Sequence, residues 1–557
     1  MQISVAEEGN TVNNLHLCNR EKQRAMKNLV IAATVAAAAL TACSENAKFP
    51  WDRPDSDSSN QLSHDMIVLG EHLQDPYSVE NMTKAYNAVY PATKAERNPV
   101  KTTDFYVRFL PKDDEQMQIL IDKGVQLIDH PLDYRIVREG DWYHDPGLPE
   151  DGFTWMYGVV PIDFEFPLNV RFERLEDCYL AEHDPATKSD GIDWLAVERE
   201  AYRLTGNESM LMPETKGSDG MFYPEGYITI MDPDHSDEPV GVKGVRVCCN
   251  SFVKIATAYT DENGYYKMSR SYSSDLRYRL MFKNVKGFSQ GINNLLLAAS
   301  VSTLGTHPAG GCNVTIDNYS DYYQFIRCVV NNAGYDYCKA CEKSAGSIPP
   351  IPKDLRIWDL PLLNGSFNVM MHHGVLLETF EPLHAVLGEL VIVARLAQAD
   401  AYLGLEGCGS YNDAYERGML IFAQAGHFSR VGRDWWYEYV LSALGSKVFE
   451  TFAQMLGEVT ESVDVGTQAE VVNAYSNYCR TVMYRRNYPG STAVFESGDT
   501  GATQMLMYLD ERGLGLESLA PLFSTDVVDM DILQQKMLSY YPQHKTSIIE
   551  AFAKYNN

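Results

Sequence analysis

Residues 411–440 constrain the fold of this chain more than any other stretch. Their centre, residues 418–428, is apolar nearly all round, which is typical of a helix buried on every side rather than of a surface helix. We expect Gly432 to end this helix and Asp434 to cap a second helix that opens with two tryptophans. The pattern therefore predicts a helical core in the C-terminal part of the chain.

The amino-acid sequence of this stretch resembles a motif of a known protein family. Residues 420–428 read LIFAQAGHF, and they are followed by Val431-Gly432 and by Trp435-Trp436. This order resembles the active-site helix of gluzincin-type metallopeptidases found in bacterial envelope lipoproteins, where a run like HELAHASHF precedes a Val-Gly turn and a Trp-containing helix. In such enzymes two histidines four residues apart hold zinc, and the glutamate beside the first histidine is the general base.

The metal-binding positions depart from the family pattern. The resemblance places Leu420 at the first histidine, Ile421 at the catalytic glutamate and Gln424 at the second histidine. The third ligand is a glutamate in a run like EGWANY, and the best match, residues 473–478, puts Asn473 at that position. Leucine and isoleucine have no lone pair to give a metal, and glutamine is a poor zinc ligand. The resemblance therefore implies a peptidase-shaped domain with no catalytic residue, no metal and no other cofactor.

Other histidines and a glutamate offer displaced ligands. His372 and His373 are adjacent in sequence, so they cannot both ligate from one helix face. His384 and Glu389 are five residues apart, which also fits poorly. We expect these residues to be solvated or to pack, and His427 to occupy a position that lies outside the zinc triad of active relatives.

The N-terminus indicates a lipid anchor. Residues 26–43 read MKNLVIAATVAAAALTAC, with one lysine and an apolar segment too short to span a bilayer. The ending LTAC resembles the lipobox of bacterial lipoproteins, which implies cleavage before Cys43 and acylation of that cysteine; a soluble secretory signal is the alternative. We expect residues 1–25 to be a start-site extension and residues 44–60 a flexible tether. The protein is then held in the lipid bilayer of the cell envelope, at the outer membrane.

Composition bounds the class of protein. A chain of 557 residues predicts two to four domains, and a hydrophobic content of 45% is ample for their cores. The formal net charge of −28 argues against nucleic acid as a partner, because nucleic-acid binding needs basic patches that displace counterions.

Cysteine usage does not indicate a disulfide scaffold. Of 11 cysteines, Cys18 lies upstream of the signal and Cys43 would be acylated, so an odd number remains. Four of them lie close together in sequence: Cys312, Cys328, Cys338 and Cys341. One local disulfide and plain free thiols both stay open. A redox pair at the last two is a less favoured alternative, and so is half of a zinc site, for which the second pair of ligands is missing.

Residues 61–222 predict a small α+β domain. Residues 104–110 alternate polar and apolar side chains as a strand does, residues 113–123 fit a capped helix, and residues 190–204 fit another helix. The phrases YVRFLPK, PLDY and YHDP resemble the N-terminal region of the same lipoprotein family. His144 and Asp145 precede a proline, which favours a turn over a ligand site.

Residues 223–285 predict a β-sandwich. Strands are expected over residues 226–231, 241–247, 253–260, 265–268 and 278–282, and Asn263-Gly264 supplies the turn of a tight hairpin. The wording GYIT, GVKGVRV and ATAYTDENGYYKM resembles the carboxypeptidase regulatory-like, transthyretin-like domain, which implies a non-catalytic module. Residues 286–352 read as an irregular connector with a helix at 295–299.

Residues 353–557 predict a mostly α-helical, gluzincin-like domain. A strand is expected at 354–358, and helices at 467–484, 503–512, 530–540 and 545–555. The predicted fold class is thus multidomain α+β: a small α+β domain, a transthyretin-like β-sandwich and a helical peptidase-like domain.

Three functions fit these patterns. The first is a lipid-anchored, non-catalytic pseudo-peptidase that binds a peptide, a glycan or a partner protein. The second is an active zinc metallopeptidase with displaced ligands. The third is a purely structural envelope lipoprotein. Metal content separates the second from the others, and a ligand screen separates the first from the third.

Overall fold

The computed structural model contains both helices and strands in number, so the mixed α+β class is confirmed at that level. It describes residues 66–91, 99–149, 153–188, 190–213, 221–291, 301–364, 366–368, 400–436, 438–439, 467–490 and 501–555. The chain packs into two compact units. The N-terminal unit contains residues 55–335 and 409–411, and the C-terminal unit contains residues 336–408 and 412–557.

The first part of the N-terminal unit is built on two small antiparallel sheets. One has the order β4-β2-β5, and the other pairs β1 with β3. The strands are β1 (Val68–His72), β2 (Asp104–Leu110), β3 (Tyr134–Arg138), β4 (Met156–Pro161) and β5 (Arg171–Cys178). The helices are α1 (Val79–Val89), α2 (Asp114–Asp122) and α3 (Trp194–Leu204).

Local capping sets the ends of two helices here. The predicted capped helix is confirmed as α2, because the Asp113 carboxylate accepts a hydrogen bond from the Gln116 backbone N–H at 2.9 Å. Helix α3 begins four residues later than predicted. Its cap is Asp193, whose carboxylate accepts from the Ala196 N–H at 3.0 Å, and Gly191 before it has a φ of +73°, which a helix does not allow.

The second part of the N-terminal unit is all-β, as predicted. One sheet has the order β10-β6-β14, with β7 beside β6; in another, β9, β8, β11 and β13 are neighbours, and β12 pairs with β11. The strands are β6 (Glu225–Met231), β7 (Val240–Gly241), β8 (Val245–Ser251), β9 (Lys254–Tyr259), β10 (Tyr265–Lys267), β11 (Leu276–Asn284), β12 (Ser289–Gln290), β13 (Val301–His307) and β14 (Val314–Asp317). The predicted strand at 241–247 is interrupted, because Gly244 has a φ of +65°.

The turn at Asn263-Gly264 is present, but the hairpin predicted from it is wrong. Strands β9 and β10, which it joins, pair with different partners, β8 and β6. Gly264 alone has a positive φ, +79°, and a Cβ there would lie 2.0 Å from the Ile228 carbonyl oxygen. The glycine is therefore required by close packing against β6 rather than by a two-residue hairpin.

The prediction that residues 286–352 form an irregular connector is also wrong. Strand β13 pairs antiparallel with β11, and β14 pairs parallel with β6, so both extend the sheets. They are followed by the 22-residue helix α4 (Tyr322–Lys343), within which the division between the two units falls. The helix predicted at 295–299 lies outside the described residues.

The C-terminal unit combines helices with three paired strands. Strand β15 (Arg356–Asn364) is parallel to β17 (Ala401–Glu406), and β16 (Ser366–Asn368) pairs with β17 antiparallel. The remaining helices are α5 (Tyr411–Val431), α6 (Thr467–Asn487), α7 (Gly501–Asp510), α8 (Leu516–Leu519), α9 (Met530–Tyr540) and α10 (Lys545–Tyr555). The four helices predicted after residue 467 are confirmed as α6, α7, α9 and α10.

Two ends in this unit differ from the sequence prediction. Strand β15 begins at Arg356 rather than at Asp354, which has a φ of +56° that a strand does not allow. Helix α5 ends before Gly432, as predicted, because Gly432 has a φ of +82°. The next helical turn begins at Arg433, and the Gly432 carbonyl accepts its first hydrogen bond, from Trp436 at 3.2 Å. Gly432 is thus the cap of that turn, and the assignment of Asp434 as the cap is wrong.

Candidate functional site

The positions matched to the lost zinc motif lie on helices α5 and α6. Leu420 and Gln424 are both partly exposed and one helical turn apart, so they share a face of α5. Ile421 is 0% exposed, and its carbonyl accepts a hydrogen bond from the Asn368 amide at 3.0 Å. Asn473 is partly exposed on α6.

Contacts between the two helices fix their register. Tyr484 hydrogen-bonds Asn412, and Arg480, which is fully buried, forms an ion pair with Glu416. From the first contact to the second, the residue number rises by four on α5 and falls by four on α6. The two helices are therefore antiparallel. Continuing this register for two more turns places residue 472, next to Asn473, level with Gln424. The register supports the alignment of these positions with a ligand set, and the degenerate metal site itself stays a prediction.

His427 lies in an aromatic enclosure beside this face. Its ring is 1% exposed, with centroids of Trp435, Trp436 and Tyr475 at 4.9, 6.1 and 5.5 Å. Neither ring nitrogen has a hydrogen-bond partner among the residues placed by the structure. Burial, aided by the nearby Arg430 charge, lowers the pKa of His427 to about 3. At neutral pH the ring is therefore uncharged, and it packs against the surrounding aromatic rings.

Several predicted residues lie outside the described part of the chain. They are the lipidation site Cys43 and the displaced ligand candidates His372, His373, His384 and Glu389. Within the described part, no group of three or more His, Cys, Asp or Glu side chains is placed to hold a metal ion. No helix in that part is long and apolar enough to cross a membrane.

The nine cysteines of the described ranges are free thiols. Cys338 and Cys341 lie one turn apart on α4, and the Cys341 thiol donates to the Pro349 carbonyl at 3.2 Å. Burial raises the pKa of Cys341 to about 12 and that of Cys312 to about 11. Thiols with raised pKa values are poor nucleophiles, which does not favour the redox-pair alternative.

The turn assigned to His144 and Asp145 is confirmed. The Asp145 carboxylate accepts a hydrogen bond from the Gly147 N–H at 2.8 Å, and its carbonyl accepts from the Leu148 N–H at 3.0 Å. This is the turn chemistry typical of aspartate.

A cavity of about 420 Å³ lies within the N-terminal unit, at residues for which no function was predicted from the sequence. Lys254, the first residue of β9, is 2% exposed, and its ammonium lies 3.0 Å from Glu198 of α3 and 3.9 Å from Glu182. The second carboxylate oxygen of Glu198 accepts from the Ser273 hydroxyl at 2.7 Å. The two carboxylates fix the position of the Lys254 ammonium, because a buried charge that moved away from its partners would be left unpaired.

A second charge pair completes the wall of this cavity. The Arg270 guanidinium lies 3.1 Å from Glu182 and donates a 2.5 Å hydrogen bond to His183 Nε2. Arginine has no acceptor, so Nε2 carries the lone pair, and the Nδ1–H donates to Asp104 at 2.8 Å. Although burial works to raise it, the charges of Lys254 and Arg270 hold the pKa of Glu182 below its usual value.

Tertiary contacts bring the charged groups of this cavity together, and the sequence alone indicates these contacts only weakly. Glu198 reads as an ordinary polar position of a helix, 56 residues before its partner Lys254. The turn that places Lys254 is a two-residue loop in which Phe252 has a φ of +48°, although turn chemistry favours glycine or asparagine there. Phe252 is buried against Tyr202 of α3, with ring centroids 5.9 Å apart, which keeps the turn in place.

Comparisons of the chain with protein-family models, with curated proteins and with solved structures find no match.

Proposed function

We propose that this protein is a lipid-anchored protein of the cell envelope, at the outer membrane, that binds a peptide, a glycan or a partner protein without transforming it. The lipobox-like ending at Cys43 supports the anchor. The resemblances to a gluzincin-type peptidase and to a transthyretin-like module support an envelope lipoprotein with a degenerate peptidase domain.

One observation carries the non-catalytic part of the proposal. The register of α5 against α6 places Asn473 within one residue of the level of Gln424, which lies one turn from Leu420 on the same face of α5. A catalytic zinc site needs at least three protein ligands, and these side chains supply none of the usual ones. The general-base position, Ile421, is an apolar side chain in the core.

Elemental analysis of the full chain tests this proposal. We expect no stoichiometric zinc after purification in zinc-supplemented medium. One zinc per chain that survives mild chelation would contradict the proposal and favour an active metallopeptidase that uses His372, His373, His384 or Glu389. Variants of those four residues, measured for zinc content, would then identify its ligands.

A further inference from the structure

The cavity of the N-terminal unit has the size of a small-ligand site. Its volume of about 420 Å³ falls within the roughly 300–1,000 Å³ typical of such pockets. All of its polar groups described above belong to one compact unit, so the site does not depend on the placement of the other unit.

Two aromatic rings of the wall are open to a ligand. Tyr223 is 53% exposed, and Trp194 is partly exposed, with its ring centroid 4.9 Å from that of the buried Tyr179. Flat rings of this kind offer large contact area at low conformational cost and pack well against the C–H faces of a sugar ring.

Charged groups also line the cavity, and they are paired. Two cations, Lys254 and Arg270, face two anions, Glu182 and Glu198, and Arg270 donates to His183 Nε2. Asp104 does not line the cavity. A charged or zwitterionic ligand would have to separate one of these pairs or leave a charge without its partner, which is costly in a buried site.

Hydroxyl groups avoid this cost. Each hydroxyl both donates and accepts, so it can donate to a lone pair of Glu182 or Glu198 and accept from an N–H of Lys254 or Arg270. The ion pairs stay together, and hydrogen bonds to charged groups are stronger than neutral ones. Alternating donors and acceptors beside aromatic rings thus suit a neutral polyol with an apolar face.

We infer that this cavity binds a neutral saccharide of one or two rings. The inference rests on the proposed ligand-binding function and names its ligand class and place. It is independent of zinc content and of membrane attachment, so a negative saccharide result would leave those two tests of the proposed function unchanged.

Titration calorimetry of the full chain tests the inference. The neutral probes are glucose, N-acetylglucosamine, maltose and N,N′-diacetylchitobiose; the charged comparators are galacturonate, glucosamine and the dipeptide glycyl-leucine. We expect at least one neutral probe to bind saturably with one site per chain, and every charged comparator to bind about tenfold more weakly or not at all.

Two variants and a control locate the site. Tyr223→Ala removes an exposed ring of the wall and should weaken binding about fivefold, whereas Tyr319→Ala, which removes a 72% exposed ring elsewhere in the same unit, should leave it unchanged. Glu182→Gln keeps the shape but leaves a cation in excess. It should therefore reduce the discrimination against galacturonate about tenfold, a change that a purely structural role would not produce.

Three results would overturn the inference. They are the absence of binding by all four neutral probes at millimolar concentration, tighter binding of a charged comparator than of any neutral probe, and the combination of parental saccharide binding in Tyr223→Ala with parental discrimination against galacturonate in Glu182→Gln. Thermal melting of each variant shows whether it is folded. Should Tyr223→Ala not fold, the selectivity of Glu182→Gln decides the question.

Discussion

Single side chains in this protein show how burial converts a polar residue into a packing residue. His427 is an ionisable ring that the structure encloses with tryptophan and tyrosine, and its pKa falls to about 3 as a result. Gly426, its neighbour, sits in mid-helix, where glycine is normally unfavourable. Both residues are explained by what packs against them rather than by the helix they belong to.

His427→Phe should remove an acid-dependent loss of stability. The pKa in the folded state, about 3, lies below the ordinary value of 6.5, so the stabilisation is present above pH 6.5 and is lost as pH falls through 3. Between these values the parent should lose about 1.4 kcal/mol per pH unit from this group. Urea unfolding at pH 7.5, 6, 5 and 4 should show the variant gaining on the parent as pH falls. His544→Phe, at a partly exposed position, is the control; a constant difference between His427→Phe and the parent would be the contrary result.

Gly426→Ala should destabilise the C-terminal unit, although alanine is the better helix former by about 1 kcal/mol. A Cβ at this position would lie 1.9 Å from the Tyr337 hydroxyl, which donates to the Pro349 carbonyl at 2.8 Å. Displacing that hydroxyl should cost about 1–3 kcal/mol in the free energy of unfolding. The double variant with Tyr337→Phe should recover part of the loss, because the clashing oxygen is gone. A more stable Gly426→Ala protein would show that this close contact does not exist.

At the scale of elements, the pairing of α5 with α6 organises the predicted site. The contacts of Tyr484 with Asn412 and of Arg480 with Glu416 set an antiparallel register. That register, not the helix pattern alone, relates Asn473 to Gln424. Burial distinguishes the four matched positions from one another. Three of them are partly exposed, and Ile421 is in the core.

Restoring ligands to α5 and α6 should create a zinc site. In the triple variant Leu420→His, Gln424→His and Asn473→Glu, both imidazoles share one face of α5, and the carboxylate lies within one residue of the level of the second of them. Ile421→Glu is left out, because an uncompensated carboxylate there would be buried. Zinc at about a hundred times its dissociation constant should stabilise the variant by about 2.7 kcal/mol, seen as a rise in Tm.

The controls for this experiment are the parent and the single variant Asn473→Glu, neither of which should respond to zinc. A folded triple variant whose Tm is indifferent to zinc would remove the main support for aligning these positions with a metalloprotein ligand set.

At the scale of the whole molecule, membrane attachment is predicted to depend on one residue. The net charge of −28 is repelled by anionic lipid, so electrostatic attraction does not hold the chain at such a surface. Acyl chains on Cys43, at about 0.8 kcal/mol per buried methylene, would supply the affinity for the bilayer.

Cys43→Ala should therefore move the protein from the membrane fraction to the soluble fraction. Cell fractionation followed by a high-salt wash measures this, and Cys18→Ala, at a cysteine upstream of the predicted signal, serves as the matched control that should stay with the membrane. Retention of Cys43→Ala after the wash would show that something other than acylation holds the chain.

Local chemistry in the sequence determined most of the regular elements. Strand β2 and helices α9 and α10 have the predicted bounds, because side-chain alternation and helical periodicity report directly on which face is buried. The cap at Asp113 and the end of α5 before Gly432 were predictable for the same reason: each depends on residues within one turn.

Tertiary structure decided what those local rules do not encode. Strands β13 and β14 form because they pair with β11 and β6. Gly264 is required by its close packing against β6 and not by a hairpin. The cavity at Lys254 and Glu198 likewise depends on a pairing across 56 residues, stabilised by a strained turn that sequence rules disfavour. Such contacts are selected by burial and charge pairing over the whole unit, because only there can the cost of burying a lysine or bending a backbone be offset.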